Sequence, residues 1–205
     1  MRAEIVRTPP AYRPTLAEGL TCINTARAGT QSLHQADVSS WPDSRLPPSR
    51  PRARSPKPSP RLSADDVRFM RMALDEARQA DFPFGAVIVR DGAVIARGRN
   101  LGRTNHDPTA HGEMVAIRRC LADHGSAALR GSTLYTSGEP CAMCMGAILW
   151  CHLGRLVFAA SVAQLATKID QIMLSSAEVA AKASYAPISI TGGVLADDAM
   201  ALFAK

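Results

Sequence analysis

Four residues in the middle of the chain carry donor atoms at spacings that could do chemistry. They are His111 and Glu113 in "HGEMVAIRRC", then Cys141 and Cys144 in "EPCAMC". Two cysteines three apart at the start of a helix lie one turn apart on one face. Thiolates so placed chelate a single ion at about 2.3 Å, and the positive end of the helix favours the thiolate form. The same spacing also describes two buried thiols or a redox pair. A histidine opening another helix is a third donor, or equally a cap or a packed ring. Glu113 can stand near such a metal without binding it, although a glutamate in a first helical turn is also favoured by the dipole alone. A structural zinc would need a fourth protein ligand, and the nearest spare donors are Cys151 and His152. In a continuous helix Cys151 lies about 10 Å beyond Cys144 along the axis, too far for the same ion. Three ligands with an open position is the pattern of a catalytic zinc.

The elements that must position these residues can be read from patterning. "SADD" at Ser63 places a hydroxyl cap ahead of two aspartates, and Val67, Met70, Met72, Leu74 and Ala77 give an apolar helix face running to about Ala80. "FGAVIVRDGAVIARGRN" holds two β-branched runs joined at Asp91-Gly92, a hairpin signal. "HDPTAHGEMVAIRRCLADHG" predicts a helix opened at Asp107-Pro108 or Thr109, with Met114, Ile117 and Leu121 facing the core and Gly125 as the stop. "STLYTS" predicts a strand, and "PCAMCMGAILWC" a helix with Pro140 in its first turn. That helix is apolar on nearly every face, which implies burial all round. "RLVFAA" predicts another strand, followed by a helix at 177–183, a strand at 188–191, a Gly192-Gly193 turn and a closing helix. Strands alternating with helices indicate an α/β layered domain.

Charge and composition divide the chain in two. Residues 1–62 hold 10 of the 24 Lys/Arg, 4 of the 18 Asp/Glu and 10 of the 14 prolines. This stretch is expected to be a disordered basic extension, because it lacks the apolar surface that would offset the entropy of ordering it. Residues 63–205 hold 14 basic and 14 acidic residues and form the expected catalytic domain, with no basic footprint of the kind phosphate backbones demand. No apolar run reaches eighteen residues, so no membrane span is expected. Four of the five cysteines fall between Cys120 and Cys151, unlike a disulfide framework, so a reducing cytoplasmic setting is expected.

His111-Gly112-Glu113 and Pro140-Cys141-Ala142-Met143-Cys144 together have the form H-x-E followed by P-C-x-x-C. With "PFGAVIV", "GRN", "HDPTAHGE", "EPCAMCMGAI" and "GGVLAD" in order, the stretch 63–203 resembles the cytidine/deoxycytidylate deaminase superfamily. The resemblance implies a three-layer α/β/α fold around a central mixed sheet of about five strands. It implies one Zn2+ per chain on His111, Cys141 and Cys144, and Glu113 as the proton shuttle of a hydrolytic deamination that releases ammonia. Asn100 is expected to hydrogen-bond the substrate, its other reading being a strand-end asparagine that serves its own turn. Phe84 is expected either to line the pocket or to belong to the core. Glu139 is expected to support the ligand helix electrostatically, without a catalytic role.

Two branches of that family differ in substrate. "HDPTAH" and "GGVLAD" resemble the enzymes that deaminate adenosine in tRNA. "PFGAVIV" and the glycine at position 112 resemble those acting on free bases, and the neutral body lacks phosphate contacts. The expected substrate is therefore a free nucleobase or nucleoside, guanine- or cytosine-like. The alternatives are a tRNA adenosine deaminase, the one case in which nucleic acid would be a partner, and an inactive zinc-stabilised binding module. The resemblance also implies a homodimer with contacts on the helix of Cys144, whose apolar faces a monomer core would explain as well.

Overall fold

The structure, a computed structural model, describes residues 63–204. The expected extension at 1–62 lies outside the described residues. Helix α1 (Ala64–Arg78) begins at Ser63, whose hydroxyl accepts the Asp66 N–H while the Asp66 carboxylate accepts the Ser63 N–H. This reciprocal box satisfies two donors that a helix start leaves unpaired. Phe69, Met70, Ala73, Leu74 and Ala77 form the buried face, whereas Val67 and Met72, expected on it, are half-buried.

Strands β1 (Gly85–Arg90) and β2 (Ala93–Arg99) form the expected hairpin. Its two turn residues, Asp91 and Gly92, have φ of 50° and 76°, the left-handed pair that matches the twist of the flanking strands. With β3 (Thr133–Gly138), β4 (Arg155–Ala160) and β5 (Ser189–Thr191) they make a five-stranded sheet in the order β2-β1-β3-β4-β5. β1 runs antiparallel to β2 and β3, while β3, β4 and β5 are parallel, so the sheet is mixed.

Alternation along the central strands feeds two cores. Ala86, Ile88, Leu134, Leu156 and Phe158 pack on one face with α2 (Gly112–His124), α3 (Ala142–Trp150) and α5 (Ser176–Lys182). Val87, Val89, Tyr135, Val157 and Ala159 pack on the other with α1 and α6 (Ala196–Ala201). The result is the expected three-layer α/β/α arrangement. β2 lies so close to α2 that a Cβ on Gly98 would stand 2.2 Å from the Gly112 carbonyl oxygen. α1 is fastened to the sheet by Asp66, which accepts both Arg155 terminal nitrogens at 2.7 and 3.1 Å and the Tyr135 hydroxyl at 2.9 Å.

Several expectations are corrected. α2 opens at Gly112 rather than near 107–109, because the Asp107 carboxylate accepts the Thr109 N–H and folds that stretch into a turn. Its buried face is Val115, Ala116, Ile117 and Cys120, and Leu121 is exposed. Pro140 precedes α3 rather than entering its first turn, since Cys141 is the N-cap. α3 is not buried all round: Met143 and Trp150 are exposed, with the Trp150 ring resting on Tyr185 instead of the core. A short helix, α4 (Val162–Leu165), was not expected. Among the described residues no helix is long and apolar enough to cross a membrane.

Candidate active site

Four strand ends meet at one rim of the sheet: the start of β1, the end of β2, and the ends of the parallel pair β3 and β4. Open α/β sheets bind ligands beyond the carboxyl ends of parallel strands. α2 and α3 both begin at this rim. His111 is the N-cap of α2 and Cys141 the N-cap of α3, and neither side chain caps its own helix, so both are left for other partners. Cys144 follows one turn into α3, fully buried.

The structure brings the three expected metal donors together. His111 Nδ1 is 3.6 Å from Cys141 Sγ and 3.5 Å from Cys144 Sγ, and all three donor atoms lie within 4.8 Å of one another. A tetrahedral zinc with bonds of about 2.3 Å to sulfur and about 2.0–2.1 Å to nitrogen separates those atoms by about 3.6 Å. The donor set therefore fits a zinc ion, and His111, Cys141 and Cys144 can hold one. Cys141 is drawn down to about 4, first by its hydrogen bond with Cys144 and then by that with His111, against the effect of burial. The shift favours the thiolate, the form that metals take. Cys144 is pushed the other way, up, by the bond to Cys141 and by burial. Cys151, at the far end of α3, is not among the clustered donors.

Glu113 is also outside that donor set, and it is 4% exposed. Burial pushes its carboxyl up, and the neighbouring Cys141 sulfur adds to the rise. It lines a chamber of about 40 Å³ together with Phe84, His111, Glu139, Cys141 and Gln171. A volume of that size admits a water molecule. The chamber shares Phe84, His111, Cys141 and Gln171 with a cleft of about 800 Å³.

Asn100 and Phe84 both line that cleft. Asn100 Oδ1 accepts the Gly102 N–H at 3.1 Å, so its carbonyl serves the turn while its NH2 is the group left for a ligand. The two readings of Asn100 are therefore compatible. Phe84 stacks on Phe82 with centroids 6.2 Å apart and meets Phe203 edge-on at 5.5 Å. Its ring lies over Gly138, where a Cβ would come within 2.7 Å of it. Phe84 is at once a wall of the site and a member of the adjoining core.

The Glu139 carboxylate has hydrogen-bond partners that were not expected: Oε2 accepts the Val162 N–H at 2.9 Å and Oε1 the Ser176 N–H at 2.8 Å. The sequence reading also missed the outer wall of the cleft, formed by Ile169, Asp170, Gln171 and Ile172, and the rim residues Asp81 and Arg103. The available signals were two capping boxes, Ser161 with Gln164 and Ser175 with Glu178, which bracket the wall segment.

Comparison with known proteins agrees with this geometry. Residues 63–160 match the cytidine and deoxycytidylate deaminase zinc-binding region. A guanine deaminase of Bacillus subtilis (strain 168) is 53% identical over 78 residues, which span 38% of this chain and 50% of that protein. A tRNA-specific adenosine deaminase of Agrobacterium fabrum is 44% identical over 101 residues, spanning 47% of this chain and 66% of that protein. The matches thus span half to two thirds of these two relatives. A solved structure from work on A-to-I editing by tRNA:A34 deaminases is 33% identical and superposes with a TM-score of 0.58, covering 66% of this chain and 99% of that one. The guanine deaminase of Nitrosomonas europaea is 26% identical with a TM-score of 0.61, covering 72% of this chain and 87% of that one. With its fold, its zinc-compatible donor set and these relatives in agreement, the chain belongs to the cytidine and deoxycytidylate deaminase superfamily.

Proposed function

We propose that this deaminase domain acts on a free nucleobase or nucleoside, guanine- or cytosine-like, and releases ammonia. The observation that carries the reading is the charge of the cleft. Among the described residues Arg103 is its single lysine or arginine, set against Asp81 and Asp170. Asp81 is held below the usual carboxylate range, first by the Thr104 N–H, and stays charged. A wall of this sign does not attract a phosphate backbone, whereas the Phe82–Phe84 pair suits a flat ring.

The chemistry follows from the chain's own groups. Zinc on His111, Cys141 and Cys144, when bound, supplies an acidified water at neutral pH. Asn100 holds the base through its amide NH2, and Phe84 presents an apolar wall to it. Glu113 takes a proton from the attacking water and gives it to the ring nitrogen beside the amine-bearing carbon. It then takes the remaining proton of the added hydroxyl and passes it to the amine, which leaves as ammonia while the carbon keeps the oxygen as a carbonyl. One carboxyl acting as base and then acid needs freedom from the metal, and its buried seat keeps bulk water from competing for the proton.

A tRNA adenosine deaminase is the second reading. The size of the cleft, several times that of a base, favours it, as does the alignment to the tRNA:A34 deaminase structure. Ammonia release from a panel of free bases, nucleosides and a tRNA anticodon stem-loop separates the readings. Release from a base or nucleoside supports the proposal, and release from the stem-loop alone overturns it. Silence from every substrate in the presence of zinc would mark an inactive binding module. We also propose a homodimer through α3, supported by the exposed Trp150 and Met143, with sedimentation as a monomer as the contrary result.

A further inference from the structure

Glu139 stands between the end of β3 and the metal-ligand helix, and it is 8% exposed. Its own N–H donates to the Ala160 carbonyl at 2.7 Å, which fixes it to the end of β4. Its two carboxylate oxygens are spent on the first residues of two different helices, Val162 of α4 and Ser176 of α5. The arrangement extends what the local caps do. Ser161 and Ser175 serve the N–H groups of Gln164 and Glu178, and those two side chains reach back to the cap N–H groups. The first helical N–H of each helix remains, and a helix start has no internal acceptor for it. A single buried carboxylate supplies both acceptors, with a charge that suits two helix N-termini.

The chain between those helices holds Ile169, Asp170, Gln171 and Ile172, the outer wall of the cleft. Gln171 also borders the chamber of Glu113. Both ends of this wall are therefore pinned to one side chain located two residues before Cys141. Resting on the deaminase reading of the site, we infer that Glu139 is the positioning residue that holds the 169–172 wall against the ligand helix and so selects which base fits over Glu113. Glu139 also borders the Glu113 chamber, but both of its carboxylate oxygens are engaged by the two helix starts. It acts through the wall, on binding and selectivity rather than on the chemical step.

Glu139→Gln tests this, since it keeps the size but presents an NH2 to one of the two N–H groups; Glu139→Ala removes both acceptors. Three quantities are compared with the unaltered full chain: bound zinc, amide hydrogen exchange by peptide, and steady-state kinetics across the base panel. The expected result is zinc unchanged and exchange in peptides spanning 161–176 faster by tenfold or more, with β1 and β3 unaffected. KM for the accepted base rises about tenfold, kcat stays within about threefold, and the kcat/KM ratio between bases narrows. Unchanged exchange in 161–176 overturns the inference, as does a fall in kcat at constant KM or a loss of zinc in the Gln variant. If the Ala variant does not fold, the isosteric Gln variant carries the comparison by itself. If the unaltered protein turns over no substrate, the deaminase reading fails, yet the exchange result still decides whether Glu139 pins the wall.

Discussion

The carboxylate of Asp66 offers a test in which the size of the effect can be worked out beforehand. Burial alone would raise its pKa, but the Arg155 guanidinium, the Ser63 N–H and the Tyr135 hydroxyl outweigh burial and hold it at about 2, from an ordinary 3.8. One pKa unit corresponds to about 1.36 kcal/mol, so the ionised form contributes about 2.4 kcal/mol to folding at neutral pH. The depressed value fixes the direction. The contribution is complete above the unfolded value near 4 and is lost as pH falls toward 2, with about 1 kcal/mol already gone at pH 3. Asp66→Asn removes the ionisable group and leaves Arg155 without its counter-charge. Urea unfolding of both proteins at pH 7 and pH 3 gives the stability gap between them at each pH. Zinc ligands also titrate in acid, but they do so in both proteins and cancel in the difference. The gap is expected to shrink by about 1 kcal/mol from pH 7 to pH 3. A gap that is equal at the two pH values refutes the reasoning.

Glu113→Gln should keep its zinc, measured by metal analysis, and lose at least about 10²-fold in kcat; retained turnover would exclude Glu113 as the shuttle. His111→Ala or Cys141→Ser should lower bound zinc per chain and abolish activity together, and full zinc in either variant contradicts the donor set. Gly98→Ala places a methyl group 2.2 Å from the Gly112 carbonyl oxygen and 2.3 Å from the Ala116 nitrogen, both backbone atoms that cannot swing aside. A fall in Tm of roughly 5–10 °C is expected by calorimetry, and an unchanged Tm would mean that β2 and α2 are not in such contact.

What could be read from the chain was local. His111 with Glu113, and Cys141 with Cys144, each lie within one helical turn, so their spacing already carried their geometry. The Asp91-Gly92 turn was legible because two consecutive positive φ angles demand those residue types. The cleft wall was not legible. Residues 169–172 have no periodicity of their own, and the helix starts that flank them, Val162 and Ser176, are held by hydrogen bonds that reach back 23 and 37 residues to Glu139. The Asp66–Arg155 pair spans 89 residues, and no local rule names a partner at that distance. α3 misled for a different reason: an apolar residue on every face reads as complete burial, but the α3·α5 packing leaves Trp150 74% exposed.

That exposed indole has an optical consequence. The chain has two tryptophans, Trp41 and Trp150, so a Trp41→Phe variant makes Trp150 its lone indole emitter. Its ring centre lies 5.0 Å from that of Tyr185, close enough for the phenol to pass its excitation on to the indole. The emission should be that of a water-facing indole and should move to the blue when a second chain covers α3. The protein thus carries, without any label, a fluorescent test of the proposed homodimer.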